Sequence, residues 1–479
     1  MSLWGSLTGY LLDFPGFKGG TADDDPSTPS PTVKAWQPEL KLVRALYGGF
    51  NALRAERQQY LPQHPAEEEK DYIIRSSRPT FYNAFARTIR ALTGIAFRQP
   101  PTPTGVPAEI MALYKDDIDN RGTNGDMFLR HTFLDALITG LTGIFVEMPT
   151  LEGENVTRAD ELAADIRPYW TMYSKDNIVS FRTVVEDGKL LLAQFVVREV
   201  IQVPQGDYGV KLVEQYRSFK RLPAVAPATT EAVVLWESWQ RAQSGKLISV
   251  GSGQLPTVTE IPLGIVYTEH TDFMDARPPL MDLANLNLLH YQMWSDLAHA
   301  AHIANVPVLF GVGIDENEIQ IGPNRAILVK GGDASTTLRW LETTGASLGS
   351  TRALLSDLEE QMANLGLSML QRKSRAAETA QKSILDRTEQ DATLGAVVGD
   401  LENGIEQALY YTAQYLGMDV ETDPHVGGSF KFTRDFQLDP ATAGQFSPAQ
   451  ASFAPEPKAA GETNNPKTTG TQVPAPGGN

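Results

Sequence analysis

Cysteine is absent from all 479 residues of the chain. Its absence excludes a disulfide framework, cysteine-based zinc sites, iron–sulfur clusters and a thiol nucleophile, and it suits a protein that assembles inside a cell. Positive charge is scarce as well: 41 Lys and Arg stand against 58 Asp and Glu, a formal net charge of -17. This balance argues against a broad basic surface that clamps nucleic acid, although an acidic wall can surround DNA without gripping it.

Long hydrophobic runs are also missing. The most apolar stretch, residues 136–146, is interrupted by Gly140 and Gly143 and falls well short of the roughly 20 residues that a bilayer-spanning helix needs. The first twenty residues carry no basic n-region, no continuous apolar core and no small-residue cleavage site, so we expect no signal peptide. The sequence predicts a soluble protein with no membrane partner.

Short motifs of common enzyme classes do not occur. Gly245-Lys246 lacks the preceding glycine and the following Ser or Thr of a Walker A loop, so no intrinsic ATPase is predicted. Gly311-Val312-Gly313 lacks the third glycine of a dinucleotide-binding loop and is interpreted as a turn. The patterns HExxH and GxSxG are absent. We therefore expect no cofactor.

One cluster favours an enzyme hypothesis. Asp296, His299 and His302 recur at intervals of three residues along one side of a predicted helix, a spacing at which a metal site is conceivable. The alternative interpretation is a polar helix face packed on a neighbour. The metal interpretation leads to a metal-assisted hydrolase with an unrecognised site.

The first half of the chain passes from helical to strand periodicity. Residues 19–38 are rich in Gly, Asp, Ser and Pro and predict a linker or mobile arm. Helical spacing follows over residues 40–50 and 81–97, and residues 127–147 predict a third, more buried helix. Runs of β-branched and aromatic residues then predict an antiparallel sheet, with turns at Asp187-Gly188 and Gln205-Gly206-Asp207; these runs are residues 178–185, 190–203, 210–219 and 232–239.

In the second half, two helices flank a short insertion. Residues 280–304 predict one helix and residues 348–364 the other, with Gly366 as its stop. Between them, residues 308–312 and 326–329 predict short strands. A much longer helix is predicted over residues 378–416. Three glycines within it suggest a kink: Gly395, Gly399 and Gly404. Phe430, Phe432 and Phe436 predict a final strand, and the Pro-rich residues beyond Asp439 a disordered tail.

A small basic cluster interrupts the acidic background. Arg372, Lys373 and Arg375 lie between two strong helical patterns. One interpretation is a solvated loop between helices. The other is a loop that touches phosphates transiently, because three cations attract a polyanion without locking it in place.

The order of these elements resembles the portal proteins of tailed bacteriophages, in particular one subgroup formerly described only as a phage domain of unknown function. The resemblance covers about residues 40–436 and depends on the order and spacing of several local motifs. These are Arg87-Thr88-Ile89 with Leu92, Gly94 and Phe97; Pro278-Pro279-Leu280-Met281-Asp282-Leu283-Ala284 before His290-Tyr291; Ile321-Gly322-Pro323 before Ala326-Ile327; Leu341-Glu342 with Gly345-Ala346; and Glu378-Thr379-Ala380.

The resemblance implies an α+β, portal-like fold: a mixed α/β wing, a two-helix stem, a small α/β clip insertion and a long kinked helix toward a short crown. The implied divisions are residues 1–38, a partly disordered N-terminal arm; 39–279, the wing, helical and then antiparallel β; 280–304, stem helix 1; 305–345, the clip; 346–366, stem helix 2; 367–377, the tunnel loop; 378–417, the wing-to-crown helix; 418–438, a closing wing strand; and 439–479, a disordered Pro-rich tail.

The function implied by the resemblance is a ring, typically of twelve subunits, at one vertex of the capsid. Such a ring passes double-stranded DNA transiently and without sequence specificity, while a separate terminase motor uses ATP, so we expect this chain to be no enzyme. The implied partners are further copies of the chain, DNA, the terminase large subunit, a head-tail adaptor protein, and capsid and scaffolding proteins. The implied location is the virion, after assembly in the host cytoplasm.

The resemblance also implies two groups of site residues and no metal ligand. The residues that would face DNA from the tunnel loop are Gln371, Arg372, Lys373 and Arg375. The clip residues that would meet the terminase, the adaptor or a neighbouring subunit are Val308, Phe310, Asp315, Glu316, Glu318 and Arg325, and the exposed edges of residues 308–312 are expected to pair between subunits. Two alternatives stay open: the metal-assisted hydrolase, and an oligomeric capsid or adaptor component.

Overall fold

The computed structural model of the chain describes nine stretches of residues: 25–149, 166–224, 231–242, 244–304, 308–312, 327–329, 337–341, 346–368 and 393–434. Helices and sheets are both present, largely in separate parts of the sequence, so the fold is α+β. Across these stretches, no helix is long and apolar enough to cross a membrane.

The helices within these stretches are, in chain order, α1 (Pro31–Gly48), α2 (Phe50–Ala55), α3 (Arg57–Tyr60), α4 (Glu69–Ser77), α5 (Ala84–Ala96), α6 (Ala108–Asp116), α7 (Gly125–Thr139), α8 (Met281–Ala304), α9 (Ala346–Ser368) and α10 (Thr393–Tyr415). The strands are β1 (Thr102–Thr104), β2 (Leu141–Glu147), β3 (Tyr169–Ser174), β4 (Ile178–Glu186), β5 (Lys189–Gln205), β6 (Gly209–Leu222), β7 (Val233–Arg241), β8 (Leu247–Gln254), β9 (Leu263–Tyr267), β10 (Glu269–Asp272), β11 (Asp275–Arg277), β12 (Val308–Val312), β13 (Ile327–Val329), β14 (Thr337–Leu341) and β15 (Ser429–Lys431).

The first helix begins earlier than the sequence predicts, because α1 starts at Pro31 inside the expected arm of residues 1–38. The side chain of Ser30 caps the helix by accepting from the backbone N–H of Val33, and proline is well tolerated in a first turn. Pro38 inside the helix costs about 3 kcal/mol. Burial of Val33 and Trp36, which contributes roughly 1.5–3 kcal/mol per side chain, offsets that cost.

The prediction of one helix over residues 127–147 is wrong in its second half. Helix α7 ends at Thr139, Gly140 adopts φ 93° in the left-handed region, and β2 begins at Leu141. A Cβ at Gly140 would lie 2.7 Å from the carbonyl oxygen of Ala276, so only glycine fits there. Strand β2 is buried along its whole length between β3 and β9, and a short buried run without a clear period reads equally as helix or as strand.

The predicted antiparallel sheet is confirmed. Strands β4 to β8 form a five-stranded meander in sequence order, and β5 pairs with β6 in regular register from Gln194↔Lys220 to Gln205↔Gly209. Strand β8 was not predicted. The face that carries Phe195 and Phe219 packs on Phe145 of β2, so this sheet joins the main core.

Helix α10 packs closely on β9 through glycine. A Cβ at Gly404 would lie 2.7 Å from the Val266 Cγ2 atom and 2.8 Å from the Ile265 carbonyl oxygen, and a Cβ at Gly264 would lie 2.3 Å from the Gly404 carbonyl oxygen. The helix is continuous from Thr393 to Tyr415 through all three of its glycines. Close helix–sheet packing therefore explains Gly404, which the sequence had suggested as part of a kink.

The two helices around the insertion lie close to their expected positions. Helix α8 starts at Met281, and α9 runs past the predicted stop at Gly366 to Ser368. Residues 369–392, which include the first part of the predicted long helix, and the tail beyond residue 434 lie outside the described residues. The predicted final strand is shorter than expected: β15 contains Phe430 and pairs with β1, Phe432 follows its end, and Phe436 lies outside the described residues.

The glycine contact between α10 and β9 predicts a difference between two identical substitutions. Gly404→Ala should lower the free energy of unfolding by about 1–3 kcal/mol, because the added methyl group meets backbone that cannot move aside. Gly349→Ala in α9, where a Cβ meets no atom within 4 Å, should leave stability unchanged or raise it by roughly 0.5–1 kcal/mol. Urea denaturation of both variants measures this, and equal stabilities would contradict the packing.

Candidate functional site

The helix pair, α8 with α9, carries the insertion that the sequence singles out. Helix α8 packs against α1, α4, α5 and α9. Among the side chains that the structure describes, the fully buried ones of α8 end at Leu297 and those of α9 begin at Leu355. The ends of both helices nearest the insertion therefore extend away from the core. At 1.5 Å per residue, α8 spans about 36 Å.

Polar side chains fix the buried part of α8. The Asn287 Oδ1 atom accepts from the backbone N–H of Phe85 at 3.0 Å, and its Nδ2 donates to the Tyr82 carbonyl at 2.8 Å. The Gln292 Nε2 donates to the Tyr60 carbonyl at 2.9 Å. Asn287 is completely buried, so these bonds both satisfy the amide and set the rotation of α8 about its axis.

A second contact joins α8 directly to α9. The His290 Nε2 lies 3.1 Å from the Glu359 Oε1, and the imidazole stacks on the Trp294 indole at 6.5 Å between centroids. The buried Leu355, Leu358 and Met362 form the apolar stripe of α9. The register of the two helices is therefore set by one polar pair and one apolar stripe.

Gly366 brings the end of α9 close to α5. A Cβ at this glycine would lie 2.9 Å from the Thr88 Oγ1 and 3.3 Å from the Thr88 Cγ2, so α9 approaches α5 closely near its end. Only two residues later α9 ends, and the predicted basic segment follows. The predicted DNA-facing residues Gln371, Arg372, Lys373 and Arg375 lie outside the described residues.

The insertion contains a three-stranded sheet, here called the end sheet, of β12, β13 and β14. Strand β12 is central: Phe310 pairs with Ile327 of β13 in parallel and with Arg339 of β14 antiparallel, and Val308 pairs with Leu341. The prediction that residues 308–312 offer free edges is therefore wrong. The missed strand β14 covers one edge of β12, and β13 covers the other.

Of the predicted clip residues, Val308 and Phe310 lie on β12, two positions apart along the same strand. The other four, Asp315, Glu316, Glu318 and Arg325, lie outside the described residues. Parallel pairing of β12 with β13 requires a crossover connection between these two strands.

The residues of the metal hypothesis do not form a site. The Asp296 Oδ1 lies 3.6 Å from the Arg75 Nη1 and 3.6 Å from the His64 Nε2, so this carboxylate faces a guanidinium and an imidazole. Burial is the largest cause that lowers the pKa of His299, and His302 is exposed. In the described part of the chain, no group of three His, Cys, Asp or Glu is placed to hold a metal ion.

Sequence analysis missed a polar cavity of about 480 Å³ between the three-stranded sheet of β2, β3 and β9 and the five-stranded sheet. Arg217 of β6 is its centre: Nη1 lies 2.7 Å from the Glu147 Oε1, and Nη2 lies 3.0 Å from the Glu147 Oε2, a bidentate pair. Arg217 also reaches Glu199 at 3.4 Å. Arg217 lies two positions before the buried Phe219, on the inward face of β6, and this alternation was the available signal.

Two tyrosines complete this network. The Tyr173 hydroxyl donates to the Glu199 Oε1 at 2.5 Å, and the Tyr169 hydroxyl donates to the Glu147 Oε2 at 3.2 Å. Burial raises the pKa of both phenols well above the ordinary value, so they stay neutral donors. Since Glu147 and Glu199 both contact Arg217, the network joins two sheets and leaves neither carboxylate available as a general base.

Comparisons with known proteins identify one family match and two similar structures. A family model described as "Domain of unknown function (DUF4055)" matches residues 279–416. Among solved structures, the chain is similar to "Neck of native GTA particle computed with C12 symmetry" at a TM-score of 0.33 and 11% identity, covering 76% of this chain and 82% of the other. It is also similar to "Neck of empty GTA particle computed with C6 symmetry" at a TM-score of 0.35 and 11% identity, covering 76% and 83%.

The search of curated proteins found no match. The family match begins just before α8 and ends just after α10. It therefore spans the helix pair, the end sheet and the helix that packs on β9.

The Arg217 network predicts a large effect of removing its one cation. Arg217→Met should lower the free energy of unfolding by about 3–5 kcal/mol, because Glu147 and Glu199 would remain partly buried without a counter-charge. Arg198→Met removes an exposed arginine 3.7 Å from Glu214 in the same sheet and should change stability by about 0–1 kcal/mol. Chemical denaturation compares the two, and a loss of similar size in both would contradict the structural role of Arg217.

Proposed function

We propose that the chain is a portal-type subunit of a phage-like particle, a protein that assembles into a ring at one capsid vertex and conducts double-stranded DNA. The observation that carries the proposal is the helix pair. Two helices of 24 and 23 residues are anchored at one end and hold a small sheet at the other, and a basic segment follows the second helix.

The helix pair is fixed at its buried end, so it can hold the end sheet at a defined position. Asn287 and Gln292 fix α8, and Gly366 brings α9 against Thr88. The end sheet therefore continues from the ends of two helices, of which α8 is about 36 Å long and is buried as far as Leu297. Among the described residues, the outer strands β13 and β14 pair only with β12, and their other edges, together with Asp315, Glu316, Glu318 and Arg325, would meet a packaging motor or a tail adaptor.

The charge distribution supports passage of DNA over tight binding. Each chain carries a net charge of -17, and a ring multiplies that charge around a channel. An acidic wall repels the phosphate backbone, while Arg372, Lys373 and Arg375 supply one small set of cations per subunit. DNA would therefore contact the ring at scattered points and slide without being held.

The remaining parts of the proposal concern partners and place. The chain would act with the terminase large subunit during packaging and with a head-tail adaptor afterwards, in contact with capsid and scaffolding proteins. It would assemble in the host cytoplasm, remain in the virion, and have no catalytic residues of its own. The ion pairs of Glu147 and Glu199 with Arg217, and the arginine beside Asp296, favour this structural role over a metal-assisted hydrolase.

The basic segment provides the test. In particles assembled with Arg372→Ala, Lys373→Ala and Arg375→Ala together, rings should form normally, and the amount of packaged DNA should fall several-fold because the DNA loses its cationic contacts. Quantitative PCR of nuclease-protected DNA measures the yield.

A matched control removes three exposed cations elsewhere: Lys34, Lys211 and Arg352 replaced by Ala. This variant has the same net charge as the first and should package normally. If both variants package as well as the unaltered protein, or if both fail equally, the assignment of the basic segment to DNA is overturned.

A further inference from the structure

The hairpin of β5 and β6 extends beyond the rest of its sheet. Strand β4 pairs with β5 only as far as Val197, and β7 pairs with β6 only from Gln215 onward. Within the described part of this sheet, residues 200–205 and 209–214 therefore pair only with each other. We call residues 200–214 the outer ribbon. Its two arms are about 20 Å long at 3.3–3.4 Å per residue.

One face of the outer ribbon carries three exposed apolar side chains, beside Gln202, Pro204 and Glu214. The register places Val200, Val210 and Leu212 on the same face, because their pairs are Val200↔Glu214, Gln202↔Leu212 and Pro204↔Val210. These side chains are 58%, 61% and 63% exposed. A two-stranded ribbon is marginally stable alone in water, and an exposed apolar patch of this kind marks a contact surface.

The same face continues into a small cluster on the sheet proper. Val179, Val196 and Tyr216 are buried together, and Trp239 and Leu247 pack against them. Because Tyr216 pairs with Trp239, and Val196 pairs with Ser218 two positions from Tyr216, these residues share the face of Val200 and Leu212. The cluster and the ribbon face together form one apolar strip, here called the outer strip.

The first described residues of the chain cross this strip. The backbone N–H of Ser30 donates to the Val179 carbonyl on β4 at 3.0 Å, and the Arg241 Nη2 donates to the Ser27 Oγ at 3.2 Å from the end of β7. Strands β5 and β6 lie between β4 and β7. Residues 25–30 are therefore held beside the base of the outer ribbon, at the level where Val200 begins its exposed face.

The residues before Asp25 have the composition to cover an apolar strip. Eight large apolar or aromatic residues occur in the first 17 positions: Leu3, Trp4, Leu7, Tyr10, Leu11, Leu12, Phe14 and Phe17. Between Phe17 and Asp25 the residues are small or acidic apart from Lys18. Eight extended residues span at most about 26–29 Å, which is longer than the ribbon, so the apolar set can reach all of it.

We propose that residues 3–17 pack on the outer strip of the same chain, with their apolar side chains on Val200, Val210 and Leu212. The contact buries apolar surface on both segments and covers one face of the outer ribbon, which otherwise exposes both of its faces. This proposal does not depend on the function proposed above, because it concerns contacts within one subunit.

Because the chain has no cysteine, introduced cysteines report on this contact without background. In the full-length protein, Leu12→Cys combined with Leu212→Cys should be joined by a short bis-maleimide within one chain, seen as a monomer of altered mobility on a denaturing gel. The control is Leu12→Cys combined with Val203→Cys, since Val203 lies on the opposite face of the ribbon. Its cross-linking should be several-fold weaker.

A second measurement covers the case in which cross-linking is blocked by geometry. The rate at which a maleimide dye labels Leu212→Cys alone should rise several-fold when Leu11, Leu12 and Phe14 are also changed to Ser, whereas labelling of Val203→Cys should not change. Equal cross-linking at positions 212 and 203 together with unchanged labelling at 212 would overturn the proposal. Cross-links found only between two chains would also overturn it, since the strip would then be covered by a neighbouring copy.

Discussion

Asn287 and the apolar residues around it hold α8 among four other helices, and both ends of the helix pair take their position from that arrangement. The buried Asn287 amide bonds two backbone groups at the start of α5, those of Tyr82 and Phe85, and this arrangement tolerates little rotation of α8. His290 and Glu359 then carry the register from α8 to α9, and Gly366 carries it to α5 again. These contacts link α8, α9 and α5 in a closed loop, and the end sheet and the basic segment follow in sequence from the two helices of the pair.

Two different junctions hold the sheets: one joins β9 to α10, and the other joins two sheets to each other. Between α10 and β9, glycine removes side-chain volume so that backbone meets backbone. Between β2, β3 and the five-stranded sheet, Arg217 forms ion pairs with two carboxylates, and two tyrosines donate further hydrogen bonds to them. The first junction depends on close packing and the second on ion pairs and hydrogen bonds. The two junctions therefore stabilise different contacts of the part that carries the helix pair.

Much of this fold could be predicted from local sequence. The turns at Asp187-Gly188 and Gln205-Gly206-Asp207 marked the meander, because turn residues act within a few positions. Strand β2 was misread because a short buried run has no period that separates helix from strand, although Gly140 was the available signal. Arg217 was missed because its partner Glu147 is 70 residues away in sequence, and no local pattern joins them. The basic residues 372, 373 and 375 were found because they break an acidic background, and their geometry stays a prediction.

The central claim is that the helix pair belongs to a ring-forming conduit. Negative-stain electron microscopy of the purified protein, with its mass measured in solution by light scattering, tests that claim most directly. The account predicts closed rings with a central channel and a mass that is a whole multiple of the 52.4 kDa chain. A homogeneous monomer or dimer that persists at high protein concentration would contradict it.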